Sequence, residues 1–118
     1  MLSIRALIVD ADILKNDPVL VTILARLVEA FEPLRIYLFG SKARGDEGPD
    51  SDYDLVVIVP NDMPTEKRNS QRAYKALRGT GVAADVIVWT QEMFDSRLGV
   101  VASLPATVMR EGKLIYVA

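Results

Sequence analysis

The run YDLVVIVP at residues 53–60 constrains the fold of this chain more than any other segment. Beyond its first residues it is apolar at consecutive rather than alternate positions, so the strand it forms must be covered on both faces. That places it centrally in a sheet with layers packed on two sides. A chain of 118 residues supports one such core; a second independent core would need more sequence. With 50% hydrophobic and 25% charged residues, the composition is that of an ordinary globular protein rather than a disordered one.

The flanking segments supply the layers. At the head of residues 17–31, Asp17 is a good N-cap and Pro18 suits the first helical position. Val19, Leu20, Ile23, Leu24, Leu27, Val28 and Phe31 follow at helical spacing on one face, and Pro33 closes the segment. LRIYLFG, residues 34–40, reads as a buried strand ending at Gly40. After the central strand come a turn at 61–64, a helix over 65–78 and a strand over 82–89 behind Gly79 and Gly81. Helices over 91–97 and 100–111 and a strand at 113–117 complete the chain. This order predicts an α/β (α+β) single domain with a small mixed β-sheet flanked by helices. The domain occupies residues 17–118. Residues 1–16 read as an N-terminal extension, in which SIRALIV fits either an edge strand or part of an interface.

Two absences bound the chemistry. There is no Cys, which excludes disulfides, thiolate zinc sites and cysteine nucleophiles, and no His, which excludes histidine bases and Ser-His-Asp hydrolysis. Catalysis must run on carboxylates, hydroxyls, Lys, Arg or a metal held by oxygen. The 14 basic and 16 acidic residues give a net charge of −2, so a broad nucleic-acid-binding surface, and with it direct nucleic-acid binding, is not expected. The N-terminus is not a signal peptide, since Asp10 and Asp12 interrupt a short apolar stretch, and no apolar run approaches the roughly 20 residues that span a bilayer. A soluble, cytoplasmic protein without membrane contact is the expectation.

The loop between the first two predicted strands carries the chemical signal: Gly40-Ser41, ten residues, then Asp52-Tyr53-Asp54. Gly40 directly follows a strand, where the missing Cβ lets backbone approach a bulky ligand, and with Ser41 it can offer N–H groups and a hydroxyl to phosphate oxygens. Asp52 and Asp54 are two apart at a strand start, so their carboxylates project to one side. Paired oxygen ligands there suit a hard cation such as Mg²⁺. Asp85 opens the third strand and joins them if the two strands are neighbours, an arrangement fit for two ions about 4 Å apart. Taken singly, Gly-Ser is a common turn dipeptide and Asp-x-Asp an ordinary loop-to-strand junction. Their combination at this spacing arises by chance in roughly one chain of this length in several hundred.

GSKARGDEGPDSDYDL, residues 40–55, closely resembles the signature of the minimal nucleotidyltransferase (MNT) domains of the DNA polymerase beta superfamily. The resemblance runs from about Asp17 to the closing MREGKLIYVA, about 100 of 118 residues, and no motif position is missing. It implies a nucleotidyltransferase-like fold in which Gly40 and Ser41 bind the triphosphate and Asp52 and Asp54 bind two Mg²⁺ ions, with Mn²⁺ as a substitute. Asp85 would complete the metal site and take the proton from the attacking hydroxyl. Arg44 would brace the loop or contact phosphate, without a catalytic part.

The implied activity is transfer of NMP from an NTP, foremost AMP from ATP, to a hydroxyl acceptor with release of pyrophosphate. Related enzymes that modify aminoglycosides or extend nucleic acids carry an additional acceptor domain. A chain of this length leaves no room for one, so an acceptor on another protein is expected. Stand-alone domains of this kind are similar to antitoxins paired with a HEPN-type ribonuclease toxin, some of which nucleotidylylate a tyrosine on the toxin. Two further readings are a non-catalytic antitoxin that neutralises its partner by occlusion, and a small-molecule nucleotidyltransferase whose homodimer forms the acceptor cleft. Elsewhere, Lys67, Arg68, Arg72, Lys75 and Arg78 fall within roughly a 140° arc of the predicted helix 65–78, opposite Ala73, Ala76 and Leu77. That arc reads first as a solvated face and second as a partner or nucleic-acid contact. Trp89 reads as a core or interface residue.

Overall fold

The computed structural model describes residues 11–44 and 52–118; the SIRALIV segment lies outside them. A first helix, α1 (Ala11–Asn16), leads into α2 (Pro18–Phe31). Asp17 caps α2, its Oδ1 accepting the Leu20 N–H at 3.0 Å, and Glu32 closes it in the left-handed region by donating its N–H to the Val28 carbonyl at 2.9 Å. Leu20, Ile23, Leu27 and Phe31 form the buried stripe, with Leu24 and Val28 half-buried at its margin. Val19, expected on this face, is 43% exposed, because the stripe is narrower than seven residues. β1 (Arg35–Phe39) stops before Gly40, which adopts φ 73° and turns the chain directly into α3 (Gly40–Arg44).

After β2 (Tyr53–Val59) the expected helix over 65–78 is divided. A single 3₁₀ turn covers Thr65–Lys67, and α4 is confined to Ser70–Ala76. The cause is Asn69, which is extended (φ −138°) and accepts the Arg72 N–H on its side chain at 2.9 Å, a cap inside the predicted helix. The basic arc is therefore not one continuous face. Arg72 Nε donates to the Ala30 carbonyl at 3.0 Å and Arg68 Nε to the Met63 carbonyl at 3.3 Å, so one of its five cations fastens the last turn of α2 and another the turn after β2. β3 (Ala84–Thr90), α5 (Gln91–Asp95), α6 (Leu104–Glu111) and β4 (Lys113–Val117) follow. α6 begins later than expected because Ser103 caps it, accepting the Ala106 N–H at 3.3 Å.

The strands form one mixed sheet in the order β3-β2-β1-β4. β1 pairs antiparallel with β2 and β4, while β2 and β3 run parallel. β2 is thus interior, and Leu55, Val56, Val57, Ile58 and Val59 are all 0% exposed, as its two-sided apolar run required. Leu55, Val57, Val86 and Val88 pack with α2 and α4 on one face. Val56, Ile58 and Tyr37 pack with Phe94 of α5 and Val108 of α6 on the other, where Trp89 lies 6.2 Å from Phe94 between ring centroids. Each fully buried side chain of this size stabilises the fold by about 1.5–3 kcal/mol. Ile13 and Leu14 of α1 pack against the first cluster. Among the described residues no helix is long and apolar enough to cross a membrane.

Candidate functional site

Strand pairing brings the separated motif residues together. In the antiparallel pair Phe39 faces Asp54, so Gly40 leaves β1 beside that carboxylate. In the parallel pair Asp54 faces Asp85. Paired residues of neighbouring strands project to the same face, here the face of Val56 and Ile58, and adjacent strands lie about 4.8 Å apart. The condition attached to Asp85 in the sequence, that its strand adjoin β2, is met. Asp54 is half-buried and Asp85 exposed. Asp52 is exposed and sits one residue ahead of β2, outside the described strand pairs.

Gly40 is required at its position twice over. Its φ of 73° lies in the left-handed region, and a Cβ built there would collide with Asp54 Oδ2 and lie 3.2 Å from Asp54 Cγ. The carboxylate occupies the space that any other residue would fill. α3 starts at this point and is seated by Ala43, which is 7% exposed. The side chains of Ser41 and Arg44, expected on phosphate, lie outside the described residues, as do residues 45–51.

Among the described residues no three or more Asp, Glu, His or Cys side chains gather into a ready cage for a metal ion. What the fold assembles is a pair of carboxylates at two strand starts, against a residue without Cβ, with Asp52 nearby in sequence. This all-oxygen donor set fits Mg²⁺, which is bound by one or two carboxylates plus substrate phosphates and water rather than by an all-protein cage.

On the reverse face lies a contact that the sequence reading missed. Tyr53, between the two aspartates of the motif, donates its hydroxyl to Asp17 Oδ2 at 2.8 Å, and Lys42 Nζ of α3 lies 4.4 Å from the Tyr53 ring centroid. The available signal was strand alternation, which sends the residue between two same-side aspartates to the opposite face.

Comparison with known proteins identifies the family and the fold. The family model described as nucleotidyltransferase domain matches residues 20–114. MJ0604 of Methanocaldococcus jannaschii, an inferred protein adenylyltransferase, is 32% identical over 82 residues, covering 70% of this chain and 77% of that protein. Among solved structures, a toxin-antitoxin crystallised with AMP-PNP shares the fold at TM-score 0.58 and 23% identity, covering 82% of this chain and 72% of the other. An inferred nucleotidyltransferase from Sulfolobus solfataricus matches at TM-score 0.56 and 22% identity, covering 85% and 78%. A variant of the toxin-antitoxin MntA-HpeT matches at TM-score 0.55 and 18% identity, covering 81% and 71%. The matched family model spans the strands and helices that bring Gly40, Asp54 and Asp85 together, and the chain belongs to the nucleotidyltransferase domain family, as the resemblance of its loop to MNT domains implied.

Proposed function

We propose that this chain is a Mg²⁺-dependent adenylyltransferase that moves AMP from ATP to a hydroxyl side chain, foremost a tyrosine, of a HEPN-type ribonuclease toxin in the cytoplasm, and so acts as its antitoxin. The observation that carries the reading is the pairing of Asp54 with Asp85 beside Gly40. Backbone N–H groups at Gly40 and Ser41 receive the β- and γ-phosphate oxygens at the start of α3, and Arg44 contacts phosphate or braces the loop. Asp52, Asp54 and Asp85 hold Mg²⁺, which when bound neutralises phosphate charge and stabilises the attacking and leaving oxygens. Asp85, exposed on the outer strand, accepts the proton of the incoming hydroxyl. The acceptor oxygen bonds to the α-phosphorus as the α–β bridge breaks, and pyrophosphate leaves. Such chemistry is positioning and charge neutralisation, so it needs no histidine.

The choice of acceptor draws support from the relative named for protein adenylyl transfer and from two similar folds found in toxin-antitoxin structures. An adenylyl group on a ribonuclease places an anion where RNA phosphates must bind, and like-charge repulsion weakens that binding. The test is incubation with α-labelled ATP, Mg²⁺ and the product of the adjacent reading frame, the candidate toxin. Label should appear on the toxin and vanish with Asp54→Asn. A stable unlabelled complex that still silences the toxin would establish occlusion instead.

A further inference from the structure

The two halves of the site meet a second time, behind the sheet. The Tyr53 ring is 8% exposed, and its hydroxyl donates to both carboxylate oxygens of Asp17, at 3.0 and 2.8 Å. The same Asp17 Oδ1 takes the Leu20 N–H that starts α2. Over the ring stands Lys42 of α3, within cation–π range. One aromatic side chain thus ties the carboxylate strand to the helix that follows Gly40 and to the start of α2.

We propose that Tyr53 is a positioning residue for the metal-binding carboxylates. The strand ladder begins at Tyr53, which faces Ala84 and donates its N–H to the Ala83 carbonyl at 3.1 Å. Asp52, one residue earlier, inherits its direction from the Tyr53 backbone. A hydroxyl anchored 36 residues away in sequence holds that backbone against α2, and alternation then turns Asp54 to the opposite face, with Asp52 joined directly to the start of the strand. Asp17 accordingly has two separable tasks, capping α2 and gripping Tyr53. This assignment rests on the nucleotidyl-transfer reading.

The two tasks are separated by side-chain reach. Asn at position 17 can cap the helix and still accept the Tyr53 hydroxyl; Ser caps about equally well but is too short for the second bond. The readout is Mn²⁺ affinity, measured by electron paramagnetic resonance of free Mn²⁺ on the full chain with α,β-methylene ATP, whose α–β bridge cannot be broken. Tyr53→Phe and Asp17→Ser should each weaken Mn²⁺ binding about tenfold with native circular dichroism, the scale of losing a group that orients a metal ligand. The double variant should be no weaker than either single, because both remove one link. Asp17→Asn should bind as the unaltered chain does. Unchanged affinity in Tyr53→Phe, additive losses in the double variant, or equal behaviour of Asp17→Ser and Asp17→Asn would overturn the assignment while leaving the transfer reading intact. If the unaltered chain binds no Mn²⁺ with the nucleotide analogue, both fall together.

Discussion

Replacing Gly40 with Ala adds a single methyl group against the candidate site, and the structure separates its two effects. At φ 73° an L-residue costs about 1–2 kcal/mol. The new Cβ also strikes Asp54 Oδ2, the end of a side chain rather than backbone, so the carboxylate swings out of its rotamer for about 0.5–1.5 kcal/mol more. The total, about 1.5–3.5 kcal/mol, lowers the melting temperature by roughly 6–14 °C at about 4 °C per kcal/mol. Gly81→Ala is the matched control: its φ is 70°, but nothing lies within 4 Å of its Cβ. It should cost only the backbone part and leave transfer intact. On the proposed function, displacing the Asp54 oxygen by about an ångström should lower labelled AMP transfer by Gly40→Ala about 100-fold. Thermal unfolding and the transfer assay, run on both variants well below their melting temperatures, decide the matter. Equal transfer rates for the two would refute the argument that Asp54 must fill the space beside Gly40.

Two further predictions follow from the same geometry. Mg²⁺ with ATP at about 100 times its Kd should stabilise the chain by about 2.7 kcal/mol, and the combined Asp52→Asn and Asp54→Asn variant should fold yet show no such shift in differential scanning fluorimetry; a retained shift would place the site elsewhere. Asn69→Ala should cost about 1 kcal/mol by removing the α4 cap, and Asn69→Asp should restore it, both leaving transfer unchanged, as urea titration and the labelled assay will show.

What the sequence made legible was local in character. Asp17 and Pro18 announced α2, the consecutive apolar residues of 53–60 announced an interior strand, and the glycine after LRIYLF announced the turn that brings Gly40 beside Asp54. Asp85 was legible only on a condition, because its approach to Asp54 depends on parallel pairing with a residue 31 positions away, and periodicity within one strand says nothing about neighbours. The divided helix was a different failure. Asn69 and Ser103 are cap residues whose signal was present, but amphipathic spacing through 65–78 and apolar content through 100–111 outweighed it. The Tyr53–Asp17 bond was out of reach for a third reason: it joins a strand to a helix cap through side chains alone, and Asp17 already had a sufficient local role as the cap of α2.

The register of β2 and β3 has a consequence for fidelity. Leu55 faces Val86 and Val57 faces Val88 in the same alignment that sets Asp54 against Asp85. Sliding β3 by one residue would move Val86 and Val88 from the fully buried face to the half-buried one and drive Asp85 into the apolar layer under α2 and α4. A molecule with misaligned carboxylates is therefore also a molecule with a ruined core. Errors at this seam surface as unfolding, open to proteolysis, rather than as a durable protein that folds but cannot act.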